Sequence, residues 1–480
     1  MHGWDSGAVE RPERAPTVVV VGGGIAGLAA AARVRAERPD VDVVVLEAAA
    51  EVGGKLRLGE VGGVVVDVGA EAMLNRRPEA VDLVRVAGLG ADIVHPVTTT
   101  ASLWSRGEML PMPRTMMGIP ADLRALAESG VISKSGLARA ALDAVLPASS
   151  LDGRDDSIGN LVEERFGKEV VDRLVEPLLG GVYAGHAREI SARAAVPQVV
   201  ALLDEDRSLA RAAGRALAGP ASDVPVFAGL DGGVGRLPAA VVASSGLRVE
   251  TGATVRDLAQ RPEGGWTLVV GSTRDPRLVH ADAVVLATPA RPTARLLSDV
   301  APAAALELAR VDYASVAIVT MAFRDRDFPD VIGSGFLVPP VECRTIKAAT
   351  YSFAKWQWVR DAGAGVLLMR CSLGRHREEH ALQRTDDELV EVALGDLADA
   401  IRLSVRPVDT HVQRWGGGLP QYAVGHVDRV AAVRAAVARV PGLAVCGAAY
   451  DGIGIPACIA SGNRAAAEVL AALPAPLPRR

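Results

Sequence analysis

Gly22, Gly24 and Gly27 carry the spacing G-x-G-x-x-G. In that spacing the first glycine permits a tight turn, the second lets the backbone approach a pyrophosphate, and the third lets a helix lie close against its strand. The chain supplies both flanks. A β-branched run, Thr17 to Val21, precedes the glycines, and an alanine-rich helical stretch follows to about Arg38, where Pro39-Asp40 ends it. The start of such a helix offers unpaired N–H groups and the positive end of its dipole to phosphate oxygens. Val41 to Leu46 reads as a second strand, and Glu47 closes it twenty residues after Gly27. A carboxylate there can accept hydrogen bonds from ribose hydroxyls. The plainer alternative, a glycine-rich turn in a structural α/β unit, leaves Glu47 without a purpose.

A second doublet with a cation, Gly53-Gly54-Lys55, follows soon after Glu47. Backbone and cation there would face the phosphates from the other side, as in FAD enzymes of the amine-oxidase type. An enzyme that also bound a pyridine nucleotide would need a second glycine motif. The one candidate, Gly233-Val234-Gly235-Arg236-Leu237-Pro238, has proline in its sixth place and no clear strand before it, so it reads as a turn entering a helix. Electrons are therefore expected to pass to oxygen or another diffusible acceptor. Near the end of the chain, Gly447, Gly452 and Gly454 lie between a short strand, Leu443 to Cys446, and a helix from about Pro456 to Ala472. Proline suits a first helical position. A helix start aimed at a flavin ring would stabilise the negative charge of its reduced form.

Three further patterns point elsewhere. His376-Arg377-Glu378-Glu379-His380 satisfies H-x-x-E-H, an inverted zinc-protease pattern, but no third ligand is apparent and so short a pattern arises easily by chance; no metal is expected. Met109, Met112, Met116 and Met117 read either as an adaptable apolar lid or, preferably, as core beneath a loop. Cys446 adjoins the glycine-rich turn, but the tyrosine that accompanies a flavin-bearing cysteine is not adjacent, so non-covalent attachment is expected.

These residues need elements to hold them. The opening is a strand–turn–helix–strand unit, and the C-terminal segment repeats that grammar. Between them, about Ala80 to Gly219 reads mostly helical, with stretches near Glu79–Ala87, Gly136–Leu146, Asp156–Phe166 and Gln198–Leu217. Strand patterns dominate Leu247 to Leu286 and Ser315 to Arg370, and Asp386 to Ile401 is an amphipathic helix. No clean linker appears, so domains are expected to interleave. The 480 residues suffice for two or three domains, and 49% hydrophobic content excludes wholesale disorder. A net charge of −5 gives no field for nucleic acid. The first sixteen residues read as a disordered tail rather than a secretory signal. The longest apolar run, Val18 to Ala32, is broken by glycines and is too short to span a membrane. Four scattered cysteines read as buried free thiols in a reducing compartment. A cytoplasmic protein without stable membrane insertion is expected.

The segments Val18–Gly27, Glu47–Lys55, Asp67–Pro78, Leu178–Gly185 and Gly447–Ile459 resemble the protoporphyrinogen oxidase family, as does the run Arg414-Trp415…Leu419-Pro420-Gln421-Tyr422…Gly425-His426. Within it the chain is most similar to the bacterial coproporphyrinogen III-oxidising branch. The resemblance runs from about Thr17 to Leu470, and Glu176 to Gly185 and Gly452 to Ile459 are its most specific parts. It implies an α/β fold: a Rossmann-like FAD-binding domain of the p-hydroxybenzoate hydroxylase and amine oxidase type, a mixed-sheet substrate domain and a helical domain. The implied division is 17–90, 225–300 and 410–475 for the FAD domain, 91–220 for the helical domain, and 301–409 with part of 60–110 for the substrate domain. Implied FAD contacts are Gly22, Gly23, Gly24, Ile25, Ala26, Gly27, Glu47, Ala48, Lys55, Gly69, Ala70, Glu71, Ala72, Val255, Trp415, Ile453, Gly454 and Ile455. Arg77 stands where the family has a basic residue for the substrate, and Gly181 falls in a turn against flavin and macrocycle. Two positions depart from the pattern: His186 follows Tyr-Ala-Gly and Ala457 follows Ile-Pro, where the family often has acidic residues.

The implied activity is oxygen-dependent oxidation of coproporphyrinogen III to coproporphyrin III by non-covalent FAD, in haem biosynthesis. A porphyrinogen yields six electrons and six hydrogens two at a time, so three flavin cycles and three hydrogen peroxides are needed. Little acid–base machinery is required, and the chain has no evident triad or metal cluster. Arg76, Arg77 and Lys355 are candidate propionate partners; for Arg76 and Lys355 the preferred reading is a solvated surface cation. The implied partners are the porphyrinogen, molecular oxygen and, transiently, the next haem-pathway enzyme. Other readings stay open: a protoporphyrinogen IX oxidase, an amine oxidase or carotenoid-type desaturase, or a non-catalytic flavin- or porphyrin-binding carrier.

Overall fold

A computed structural model describes residues 15–147, 151, 153–203, 205–218 and 224–475. The tail expected over 1–16 lies almost entirely outside them. The opening run forms the strand Thr17–Val21, the helix Ile25–Glu37 and the strand Asp42–Leu46. They belong to a five-stranded parallel sheet in the order Arg248–Glu250, Asp42–Leu46, Thr17–Val21, Ala283–Leu286 and Leu443–Val445. Side chains alternate across a strand. Val18 and Val20 accordingly pack on one face with the helices Ile25–Glu37 and Ile455–Ala472, while Val19 and Val21 pack on the other. There they meet the antiparallel ribbon Val255–Gln260, Trp266–Gly271 and Pro276–Ala281, and the helices Ala290–Leu297, Pro302–Ala309 and His426–Val437. A sheet covered on both sides explains near-continuous valine runs where one-sided burial would have left alternation.

A seven-stranded mixed sheet stands beside this layer. Its order is Asp409–Pro420, Tyr313–Arg324, Val366–Leu373, Ile346–Thr350, Gly335–Leu337, Ser102–Ser105 and Glu108–Pro111. Its neighbours are antiparallel except Gly335–Leu337 with Ser102–Ser105. The helix Asp386–Ile401, closed at its start by a Thr385/Glu388 capping box, packs on one face. Helices between Leu123 and Ala218 build a third core around Leu126, Phe166, Leu174 and Leu179, with Met112, Met116 and Met117 packed against it.

Several expectations are corrected. Residues 410–420 were expected in the nucleotide unit, but the register of Asp409–Pro420 with Tyr313–Arg324 makes that strand the edge of the seven-stranded sheet. The stretch Gln198–Leu217 is two helices, Pro197–Leu202 and Leu209–Ala218. Asp206 breaks it by accepting from Ser208 N and pairing with Arg211 and Arg215 of the second helix. A strand, Phe227–Leu230, does precede Gly233, paired with Met73–Leu74 and Ile93–Val94. Cys343 is exposed; the other three cysteines are buried.

Candidate functional site

At the end of the first strand the backbone turns at Gly22, whose φ of +109° only glycine adopts freely. A Cβ there would stand 2.9 Å from the Ala287 carbonyl oxygen, and a Cβ on Gly27 would collide with the Gly22 carbonyl. Gly24, in contrast, faces open space. It is the N-cap of the first helix and no side chain caps that end. Two of the glycines thus serve the fold, while the third leaves a bare helix start accessible. Glu47 sits beside it: Oε2 accepts from Gly23 N at 2.6 Å and Oε1 from Ala49 N at 2.7 Å. Both oxygens keep lone pairs for further donors. Ala253 N donates to the Glu47 carbonyl, which brings the buried Val255 to the same edge, and Ala48 is exposed next to it.

The second glycine segment closes over the first. Gly53 N donates to Gly23 O at 2.8 Å, and Gly54 lies against Gly24. Lys55 is drawn below its ordinary pKa by burial, against an opposing influence from Cys458 of the last helix. Its carbonyl accepts from Ala70 N, and Gly69 is pressed between that carbonyl and the Trp415 indole, so Gly69 has no room for a Cβ. Glu71 is clamped by two cations of the mixed-sheet unit, Lys355 at 2.6 Å and Arg370 at 2.9 Å, and Arg370 also donates to Gly69 O at 2.5 Å. Burial would raise the Glu71 carboxyl, but the two cations outweigh it and hold it at about 2. Lys355, read as a solvated surface cation, is instead four-fifths buried in this pair. Sequence reasoning missed the clamp because its members stand 284 and 299 positions apart.

The C-terminal turn runs from Gly447 to Gly454, and Gly454 is a second helix N-cap without a side-chain partner, followed by Ile455 and Pro456. Ile453 packs against the helical core. The first and last helices touch so closely that a Cβ on Gly462 would strike the Ala26 carbonyl. Gly181 lies inside the helix Glu176–Tyr183 rather than in a turn, because Pro177 suits its start and Ala184, left-handed at φ +51°, ends it. Gly181 is exposed and lies 3.7 Å, by a built Cβ, from Leu337 of the mixed sheet. Arg77 stands at the N-cap position of the helix Pro78–Val86 without capping it by a side-chain hydrogen bond, and pairs at 2.6 Å with Glu79 of the first turn; its side chain is 44% exposed. The structure therefore gathers Gly22–Gly27, Glu47, Gly53–Lys55, Gly69–Glu71 and Trp415 into one neighbourhood. Arg77 and Gly181 stand apart from its hydrogen-bond network.

The Gly233–Pro238 turn is closed to a second nucleotide. Asp67 accepts from Val234 N at 3.0 Å and Gly235 N at 2.8 Å, so the chain's own carboxylate fills that helix start. Burial pushes the Asp67 carboxyl up to about 7. Among the described residues, His376 and His380 belong to no group of three metal-ligating side chains, and no helix is long and apolar enough to cross a membrane.

Comparison with known proteins bears on what this arrangement serves. The family model described as flavin containing amine oxidoreductase matches residues 25–470. Coproporphyrinogen III oxidase of Mycobacterium leprae is 41% identical over 451 residues, 93% of this chain and 96% of that one. The protein of the same name from Mycobacterium tuberculosis (strain H37Rv) is 39% identical over 465 residues, 96% of this chain and 98% of that one. A crystal structure from Exiguobacterium sp. 255-15, provisionally assigned as protoporphyrinogen oxidase, superposes with a TM-score of 0.84 at 30% identity, covering 95% and 98% of the two chains. The chain belongs to the flavin containing amine oxidoreductase family and is an oxidoreductase with a flavin cofactor.

Proposed function

We propose that the chain binds one FAD without a covalent bond and oxidises coproporphyrinogen III to coproporphyrin III with molecular oxygen, in the cytoplasm. The observation that carries the reading is the 39–41% identity to enzymes of that name along 93–96% of the chain. Such breadth takes in the nucleotide unit, the mixed-sheet unit and the helical unit together. The proposed nucleotide unit is 17–90, 225–300 and 421–475, with the strand Asp409–Pro420 reassigned to the substrate sheet.

The residues fit FAD. Gly24 is the open place in an otherwise crowded turn, and the starts of the first and last helices both lack a side-chain cap. Glu47 would take the ribose hydroxyls, Gly22–Gly27 and Lys55 the phosphates, and Gly69–Ala72, Trp415 and Ile453–Ile455 the ring. Cys446 is fully buried in the core with its thiol pushed well above the usual range, so it offers no nucleophile for covalent attachment. Bound FAD would supply two-electron redox chemistry, and a six-electron oxidation of the porphyrinogen would take three rounds, with three oxygens reduced to three hydrogen peroxides per porphyrin. The chain supplies position and charge. The Glu71 clamp fixes the Gly69–Glu71 segment; Gly181, without a side chain, would leave room for a flat macrocycle, and Arg77 would share its charge between Glu79 and a propionate. The decisive experiment adds coproporphyrinogen III anaerobically to the yellow protein. Bleaching of the visible flavin band, restored by air with release of coproporphyrin, is the expected outcome. An unbleached band would leave a binding carrier as the better account.

A further inference from the structure

The run Leu419-Pro420-Gln421-Tyr422…Gly425-His426 carries no role in that reading. We infer that Tyr422 and His426 are positioning residues, which fix the Gly447–Gly454 turn against the helix Glu176–Tyr183 so that both are held as one unit. The inference rests on the FAD reading and extends it.

The chain leaves the edge of the mixed sheet at Pro420 and enters the seam between the helical unit and the C-terminal turn. On the helical side, Gln421 Nε2 donates to the Tyr183 carbonyl at 2.8 Å, at the end of the helix that bears Gly181. Ser191 N donates to the Tyr422 carbonyl at 2.7 Å, and the Tyr422 ring lies 5.5 Å from the Tyr183 ring. On the other side, Tyr422 Oη donates to the Ala448 carbonyl at 2.6 Å and His426 Nε2 to the Tyr450 carbonyl at 3.1 Å. The two rings are stacked at 3.9 Å with 13° between their planes, and both residues are 1% exposed.

The geometry suits positioning better than filling. A turn without regular structure has carbonyls in need of donors, and leaving them unmet in a buried place is costly. Here two are met by aromatic side chains, which have few rotatable bonds and lock each other by stacking. Ala448 and Tyr450 are thereby fixed a few residues before Gly454, the uncapped helix start proposed to face the flavin. Apolar side chains of similar volume would fill the seam equally well without donating to the turn.

The test measures FAD affinity and the visible flavin spectrum, with melting temperature alongside, for the wild type, Tyr422→Phe, His426→Leu and His426→Gln. Tyr422→Phe keeps the ring and its stack and loses only the hydroxyl. It is expected to weaken FAD binding about 2–10-fold and to shift the visible band, with only a small fall in melting temperature. His426→Leu is expected to do the same, and His426→Gln, which retains a donor, to recover part of the loss. Wild-type affinity and spectrum in both Tyr422→Phe and His426→Leu, whatever their melting temperatures, would overturn the inference. Should His426→Leu fail to fold, the near-isosteric Tyr422→Phe decides alone. A wild type that takes up no FAD removes the parent reading and this one together; normal uptake by wild type and variants alike removes only this one.

Discussion

Glu47 has two duties at once. Its oxygens bind Gly23 N and Ala49 N, which orders the phosphate turn before any nucleotide arrives, and their remaining lone pairs face the place proposed for the ribose. Hydrogen bonds to a charged acceptor contribute about 1.5–3 kcal/mol each, so Glu47→Gln should raise the FAD dissociation constant about 10–100-fold in a fluorescence titration; an unchanged constant would mean that the ribose lies elsewhere. His426 gives a second prediction. Burial holds its imidazole at about 4 against an ordinary value of 6.5, with the hydrogen bond to the Tyr450 carbonyl, Asp451 and Asp155 opposing and Arg429 pushing the same way. Between those values the unfolded chain binds the extra proton and the folded one does not, so stability falls as pH drops from about 6.5 to about 4. His426→Gln lacks this term. Any stability advantage of the wild type over it at pH 7 should therefore shrink steadily toward pH 4, and a gap independent of pH would refute the assignment. Glu47 was legible because its partners are local: spacing within some thirty residues specifies the turn. Lys355 was misread as a surface cation because its environment comes from Glu71, in a different part of the fold.

At the scale of elements, what sequence reasoning captured was order and type; what it lost was pairing. The helix Asp386–Ile401 was legible because its amphipathic pattern is local, and the Thr385/Glu388 capping box fixes its start within four residues. Phe227–Leu230 was invisible because its four residues include a glycine and its partners, Met73–Leu74 and Ile93–Val94, lie far away. Asp409–Pro420 was assigned to the wrong unit for a related reason. Nothing local in the sequence marks its pairing with Tyr313–Arg324, and the strand tolerates Gly416, Gly417 and Gly418 by an irregularity opposite Ala314 and Val316. The contact between the first and last helices, by contrast, depends on one atom. Gly462→Ala would place a methyl group on the Ala26 carbonyl, and the two helices must part to admit it. Overpacking of this kind costs about 1–3 kcal/mol. Because the starts of these helices, at Gly24 and Gly454, border the proposed cofactor site, FAD affinity should fall with stability. Denaturant unfolding with and without FAD checks this. A variant that lost stability yet bound FAD as tightly as the wild type would show that the two helix starts are not jointly used.

Across the whole molecule, the nucleotide, mixed-sheet and helical units meet where the Glu71 clamp joins the first two and the Gln421–His426 segment joins the first to the third. A large flat substrate would be handled by all three, which agrees with a similarity to porphyrinogen oxidases that spans the chain rather than one domain. The substrate itself is the last prediction. Coproporphyrinogen III has four propionates, while protoporphyrinogen IX has two propionates and two vinyls, so charge contacts favour the first. Arg77 is the candidate contact, and its exposure limits its worth. With 44% of its side chain in solvent and Glu79 already at 2.6 Å, a further carboxylate gains only about 0–1 kcal/mol. Arg77→Ala should therefore lower kcat/KM for coproporphyrinogen III by no more than about fivefold, leave FAD content intact, and affect protoporphyrinogen IX less. The wild type should prefer coproporphyrinogen III and release three hydrogen peroxides per porphyrin. Measuring kcat/KM for both substrates in detergent-free buffer, with peroxide counted, separates the outcomes. A preference for protoporphyrinogen IX would move the chain to the other branch. Equal loss on both substrates in Arg77→Ala would mean that Arg77 grips a propionate common to the two.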